Sequence, residues 1–143
     1  MRRPIYFVAL LCLIYPAVAK SQPFWSVGPK LGYTLGDNGG FTWGLEASYF
    51  PQQIGPLWGF TCDLTFWKEH STLHLGIEGE EGPGIDVGPT LFYSKGTFNF
   101  GLSAIPWFGA FIYAYYEFAW PFFQTPFQSY GGYLKIPIGV TIN

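Results

Sequence analysis

Residues 24–50 read FWSVGPKLGYTLGDNGGFTWGLEASYF, and this stretch decides the predicted fold. On both sides of the central Asp-Asn-Gly, every second residue is large and apolar, while the residues between them are mostly small or polar. A period of two is the pattern of a β-strand, because successive side chains of a strand point to opposite faces. The stretch therefore predicts two strands, over 24–36 and 40–50, each with one apolar and one polar face.

The connection between these two strands decides which residues face each other. Residues 37–39 predict a three-residue hairpin loop, in which a type I turn is followed by Gly39 in the left-handed conformation. With this loop, Lys30 of the first strand lies opposite Glu46 of the second strand on the polar face. A cross-strand pair of opposite charges stabilises a sheet, so we expect an ion pair here.

The same alternation continues through the rest of the chain, between segments rich in glycine, proline and acidic residues. Six further strands are predicted, over 57–67, 70–79, 85–94, 97–104, 107–119 and 130–142. Two-residue hairpin turns are predicted at 68–69 and at 95–96, and the first of them places Asp63 opposite His74 on the polar face. A turn at 105–106 separates the sixth strand from the seventh, and one long bent strand over 97–119 is the alternative.

The composition restricts the class of protein. The chain has 143 residues, of which 22% are aromatic and only 11% are charged. Soluble domains usually carry about 25% charged residues, so this chain has too little charge to coat a surface that faces water. Beyond the N-terminal segment there is no run of about 18 apolar residues, so no transmembrane helix is predicted there. The formal net charge is −2 and there is no basic patch, which argues against a nucleic-acid partner.

The N-terminus has the pattern of a secretory signal peptide. Residues 1–19 begin with two arginines, continue with a short apolar core and end in Ala-Val-Ala. We expect cleavage after Ala19, which leaves residues 20–143 as a single domain; an uncleaved anchor helix is disfavoured by the short core. The mature chain then keeps one cysteine, Cys62, and has no internal disulfide.

The strand pattern predicts an all-β fold. Strands of about ten residues match the length that crosses a bilayer when a strand is tilted. Eight antiparallel strands joined by short turns close into an up-and-down barrel without free edges. Because the chain has few charges, we expect the apolar face to meet lipid. The polar face then lines a bore that is only wide enough for side chains.

In this architecture the chain resembles the small eight-stranded outer-membrane β-barrel proteins of Gram-negative bacteria. The resemblance rests on a signal peptide followed by alternating strands from Trp25 to Ile142, with aromatic side chains such as Tyr49 and Trp120 near strand ends. It implies a location in the outer membrane, the lipid bilayer as partner, and a monomer with a structural or interaction role. The chain departs from the family in ending Ile-Asn rather than in an aromatic residue, and in having mostly tight external turns.

The polar face carries side chains that we expect to meet inside the barrel. The predicted lumen network consists of Lys30, Glu46, Asp63, His74, Glu117 and Lys135. Buried charges must be paired or neutralised, so the network is interpreted as a salt-bridge plug. The functional alternative is a small gated pore or a proton-responsive site at His74.

Catalysis is not predicted. A hydrolase needs a hydroxyl and a histidine on the same face, with a carboxylate that orients the imidazole. His70 and Ser71 are adjacent and point to opposite faces, so no catalytic, metal or cofactor residues are assigned. Two alternatives to a structural role are a soluble, lipocalin-like carrier of a small apolar ligand and a lipid-modifying outer-membrane enzyme.

The longest predicted loop offers a contact surface. It spans residues 120–129 and carries Phe122, Phe123 and Phe127. Exposed aromatic clusters often mark interaction sites, so these three side chains are a candidate contact with a partner or with lipid headgroups. The alternative is that they only cap the aromatic belt of the barrel.

Overall fold

The computed structural model describes residues 23–51, 57–80, 83–109 and 112–138. The strand bounds are β1 (Phe24–Thr34), β2 (Gly40–Phe50), β3 (Leu57–Trp67), β4 (His70–Glu80), β5 (Gly84–Ser94), β6 (Thr97–Gly109), β7 (Ile112–Pro121), β8 (Phe127–Leu134) and β9 (Ile136–Ile138). None of the described residues belongs to a helix that is long and apolar enough to cross a membrane. The predicted signal peptide, residues 1–19, lies outside this part of the chain.

The sheet closes on itself. Each strand pairs antiparallel with the next in sequence from β1 to β8, and β1 also pairs with β8 and β9. Only Lys135 separates β8 from β9, and both follow one register along β1. They therefore share one position in the wall, which makes an eight-position barrel with β9 as a short extension. The predicted all-β, closed antiparallel barrel is confirmed.

The strands are staggered around the barrel. Following paired residues from Trp25 once around the wall leads to Gln128 of β8. The Gln128 carbonyl accepts a hydrogen bond of 2.8 Å from the Leu35 N–H. The path around the wall therefore starts at Trp25 of β1 and returns to the same strand direction at Leu35, about ten residues further along the chain. A stagger of about ten residues over eight strands tilts the strands by about 40° and leaves a bore that side chains fill.

The two faces of the wall differ as the alternation predicts. Outward side chains are large and apolar, and many are more than half exposed, such as Phe41, Phe60 and Phe98. Inward side chains are hydroxyls, glycines, charged groups and a few large rings. Gly32 makes room for one of these rings, because a Cβ there would lie 2.3 Å from the Tyr115 hydroxyl oxygen. The bore is thus packed rather than open at this level.

Two predicted hairpin turns are confirmed. The turns at 68–69 and 95–96 connect β3 to β4 and β5 to β6. Lys68 and Lys95 adopt positive φ angles of 47° and 48°, the left-handed conformation that tight hairpin turns require. The first turn places Asp63 opposite the inward-facing His74 in the backbone register, as predicted.

The register of the first hairpin was predicted wrongly. The connection between β1 and β2 comprises residues 35–39, and Gly36 rather than Gly39 adopts a left-handed φ, of 101°. The reason is that the Leu35 N–H bonds to Gln128 of β8, and the chain turns at Gly36 directly afterwards. The pairing of β1 with β2 is therefore shifted by two residues from the prediction. Each side chain keeps its predicted face but lies opposite a different residue of the neighbouring strand.

The sixth strand does not end where the sequence predicts. The turn expected at 105–106 is absent, and so is the alternative of one long strand over 97–119: β6 continues to Gly109 and β7 begins at Ile112. Pro106 stays in the strand because it pairs with β5, while the ladder toward β7 is interrupted beside it. A proline has no N–H to donate, so a strand tolerates it where the ladder is already broken.

Candidate functional site

The candidate site is the charged lumen. All six predicted lumen side chains are buried inside the barrel, and Lys135 is the most exposed of them at 9%. They do not form one layer. Five of them form two clusters, each centred on a lysine, and His74 lies outside both. Two further buried carboxylates contribute: Glu78 pairs with Lys135, and Asp86 lies beside His74. Their inward parity is visible in the sequence, but their depth in the bore is not.

The Lys30 cluster consists of Lys30, Asp63 and Glu117. The Lys30 ammonium forms an ion pair with Asp63 of β3 and lies 3.7 Å from the Glu117 carboxylate of β7. It also lies 4.4 Å from the centre of the Tyr115 ring, within range of a cation–π contact. The Thr65 hydroxyl donates to the other Asp63 oxygen at 2.8 Å. One cation thus joins strands from three sides of the bore.

The Lys135 cluster consists of Lys135, Glu46 and Glu78. The ammonium lies 3.0 Å from Glu46 and forms an ion pair with Glu78. The Ser48 hydroxyl donates to Glu46 at 3.0 Å, and the Trp107 ring centre is 5.0 Å from the ammonium. Lys135 is the residue between β8 and β9. The cluster therefore ties that interruption in the wall to β2 and β4.

The predicted ion pair between Lys30 and Glu46 does not exist. Lys30 lies opposite Gly44, and Glu46 lies opposite Gly28. Their carboxylate and ammonium partners come instead from strands that are not neighbours in the sheet. The physical reason is the narrow bore: long inward side chains reach across it and meet partners on the far wall.

His74 lies outside both clusters and is connected to the Lys30 cluster through two hydroxyl side chains. Its Nε2 lies 3.1 Å from Asp86, and its Nδ1 lies 2.8 Å from the Thr90 hydroxyl. Thr90 donates to Ser103, which donates to Glu117 of the Lys30 cluster. Asp63 faces His74 only in the backbone register, since its side chain is held by Lys30. Hydrogen bonds therefore connect His74 to Glu117, and Asp86 lies at ion-pair distance from the other nitrogen of the His74 ring.

A glycine makes the His74–Asp86 contact possible. A Cβ at Gly76 would lie 1.7 Å from an Asp86 carboxylate oxygen and 2.6 Å from His74 Nε2. Any side chain at this position would displace one of the two groups. The small inward residue is thus a requirement of the charged lumen and not only of the narrow bore.

Thr90, His74 and Asp86 have the order hydroxyl, imidazole, carboxylate that hydrolases use. The Thr90 side chain is fully buried, and its hydroxyl already donates to Ser103. The cavity lined by both clusters has a volume of about 10 Å³, the space of roughly one water molecule. The arrangement can hold and relay protons, but it has no room for a substrate.

The described lumen holds more carboxylates than cations. The carboxylates are Glu46, Asp63, Glu78, Asp86 and Glu117, and the cations are Lys30 and Lys135. Proton binding to His74 or to a carboxylate reduces this excess of buried negative charge. Within the described ranges, no group of three or more His, Cys, Asp or Glu side chains is arranged to hold a metal ion.

The predicted contact patch is only partly exposed. Phe122 and Phe123 lie on the connection between β7 and β8, and Phe123 is 88% exposed. Phe127 belongs to β8 and faces inward, where its ring centre lies 5.4 Å from Trp67 and 5.7 Å from Phe92. The loop predicted over 120–129 is therefore shorter than expected, because β7 continues to Pro121 and β8 already begins at Phe127.

Comparison with known proteins gives no match: no protein-family model, curated protein or solved structure matches the chain.

Proposed function

We propose that this chain is a monomeric outer-membrane β-barrel protein with a structural role, whose lumen is plugged by the Lys30 and Lys135 clusters. Residues 1–19 direct export and are then removed. Phe122 and Phe123 give the barrel two exposed rings for contact with a partner at the membrane surface. No catalytic step is part of the proposal.

The observation that carries the proposal is the inverted polarity of the wall. The large apolar side chains lie outside and the ion pairs lie inside. A water-soluble protein rarely exposes an apolar patch larger than a few hundred Å². Here such side chains continue around every strand from β1 to β7, which suits a lipid surrounding.

The height of the wall supports the same proposal. Strands β1 to β5 each have 11 residues. At about 3.3 Å per residue and a tilt of about 40°, such a strand rises about 28 Å along the barrel axis. The outward apolar band of membrane-spanning barrels is about 25 Å tall. The wall is thus tall enough to cross a membrane.

Aromatic side chains lie at both ends of the wall, as in the interfacial belts of membrane barrels. At the end that holds the two-residue turns, Tyr33 packs beside Tyr130 with ring centres 6.4 Å apart. At the other end, Trp25 packs beside Tyr49 at 4.8 Å. Amphipathic rings in these positions suit the boundary between lipid and water.

The charge and packing of the lumen favour this proposal over the alternative of a soluble carrier. A lipocalin-like carrier needs an apolar interior with space for a ligand. At the level of the two clusters the described interior is charged and almost without free volume. An interior of this kind leaves no space for apolar cargo at this level, which favours a structural role.

Membrane fractionation tests the proposal. The full chain, expressed in a Gram-negative host, is expected in the outer-membrane fraction, with a mature N-terminus at Lys20. Its mobility on gels should change when the sample is boiled, because closed barrels resist detergent. In detergent its mass should be that of one chain. Recovery in the soluble periplasm, or with a co-purified apolar ligand, would overturn the proposal and favour the carrier.

A further inference from the structure

The barrel has a second feature that the lumen clusters do not explain. At the end with the two-residue turns, the mouth opens into a cavity of about 570 Å³. It lies between the connection 35–38 on one side and residues 124–126 on the other. We term this cavity the loop-end cup. Its volume lies within the range of about 300–1,000 Å³ that is usual for small-molecule sites.

The floor of the cup is aromatic. Trp67, Phe92 and Phe127 face inward and pack against one another, with ring centres 5.4 Å and 5.7 Å from Phe127. The His70 ring stacks on Trp67 at 5.4 Å with an angle of 16° between the planes. These rings close the bore above the Lys30 cluster. Trp67 and Phe92 are only 6% and 3% exposed, so a ligand in the cup contacts mainly the half-buried rings of Phe127 and His70 and does not reach the buried charges.

The wall of the cup is polar and nearly uncharged. Asn38, Ser94, Gln124 and Thr125 line it with amide and hydroxyl groups that both donate and accept hydrogen bonds. The charged side chains on the described wall are Asp37 and Lys95, one of each sign.

The edge of the floor carries one histidine. His70 is the first residue of β4 and lies beside the turn at 68–69. The cup thus offers neither a cationic nor an anionic cluster to a ligand.

We propose that the loop-end cup binds a ring of a neutral carbohydrate. A sugar ring has an apolar C–H face, which stacks on aromatic rings, and an edge of hydroxyls, which amides and hydroxyls recognise. A phosphorylated or acidic ligand would need a cluster of cations, and a purely apolar ligand would form no hydrogen bonds with the polar wall. The inference goes beyond the structural role and does not depend on it, since the cup is the same whether lipid or water surrounds the barrel.

Saturation-transfer NMR on the full mature chain, folded in detergent, tests the proposal. Boiling-dependent gel mobility first shows that each sample contains folded barrel. Neutral probes are glucose, galactose, mannose, maltose and lactose, and glucuronate is the acidic counterpart. Saturable binding of at least one neutral sugar is expected, with contact mainly to its C–H face and weaker binding of glucuronate. Absence of saturable binding to all five neutral sugars, or equal binding of glucuronate, overturns the proposal.

Two matched variants locate the site. Gln124→Ala removes an amide from the wall of the cup, and Gln128→Ala removes the same group from the outer face of β8. Loss of one hydrogen bond should weaken sugar binding by about threefold to tenfold in Gln124→Ala. Gln128→Ala should bind as the parent does. Equal affinity in the two variants would place any bound sugar elsewhere and overturn the assignment.

Discussion

Side chains on the two faces of the barrel wall differ in the interactions that they make. On β2, Leu45 points outward and is 57% exposed, while the next residue, Glu46, points inward and is 6% exposed. Outward side chains interact mainly with the surrounding medium, so each contributes separately. Inward side chains interact in specific pairs across the bore, so the loss of one leaves another buried and unpaired. Substitutions on the two faces should therefore differ in size, in solvent dependence and in additivity.

The largest effect is expected for Lys30→Met. The substitution keeps the length of the side chain but leaves the Asp63 and Glu117 carboxylates buried without their cation. Removing one partner of a buried ion pair costs about 3–5 kcal/mol of stability. Chemical unfolding in lipid vesicles, followed by tryptophan fluorescence, measures the loss. The control is Leu31→Met on the outer face, which should change stability little; equal losses would remove the distinction between the faces.

The next effect depends on what surrounds the barrel. Leu45→Arg places a charge near the middle of the outer wall, where the proposal puts lipid. Such a substitution costs about 2–4 kcal/mol at the bilayer midplane, but an exposed site in water tolerates it. The same unfolding experiment gives the value, with Phe123→Arg on the loop as the nearly neutral control. If Leu45→Arg is as stable as the parent, the outer face does not meet lipid.

A double-mutant cycle separates the observed pairing from the one that the sequence predicts. Lys30→Met combined with Asp63→Asn should show a coupling of about 1–3 kcal/mol, because the two side chains form an ion pair. The parallel cycle with Glu46→Gln should show a smaller coupling, since Glu46 pairs with Lys135. Larger coupling to Glu46 would mean that the first hairpin has the predicted register after all.

The smallest effect concerns a single hydrogen bond. Thr65→Val keeps the shape of the side chain but removes the hydroxyl that donates to Asp63 at 2.8 Å. A hydrogen bond to a charged group contributes about 1.5–3 kcal/mol, so a loss near the lower value is expected. Leu64→Val, one residue away on the outer face, serves as the control. A smaller loss for Thr65→Val than for Leu64→Val would show that the inward network is less tightly coupled than its geometry indicates.

Much of the wall follows from local pattern, and the exceptions have specific causes. The turns at 68–69 and 95–96 were predictable because two residues between alternating strands leave a single register. The first hairpin was not, because its turn begins where Leu35 bonds to β8, a strand about ninety residues later in the chain. The extension of β6 through Pro106 was missed for a similar reason, since a proline is tolerated only where the neighbouring strand leaves a gap.

The sequence by itself determined that apolar and polar residues alternate along each strand and which side chains share a face. It also determined that charged residues such as Lys30 and Glu117 lie on the inward face. Side-chain direction has a period of two and needs no knowledge of the rest of the molecule. Only the tertiary structure decided which charges meet. Closure and stagger bring β1 next to β8 and place Lys30 across the bore from its carboxylates, and these distances depend on the whole circuit of the wall.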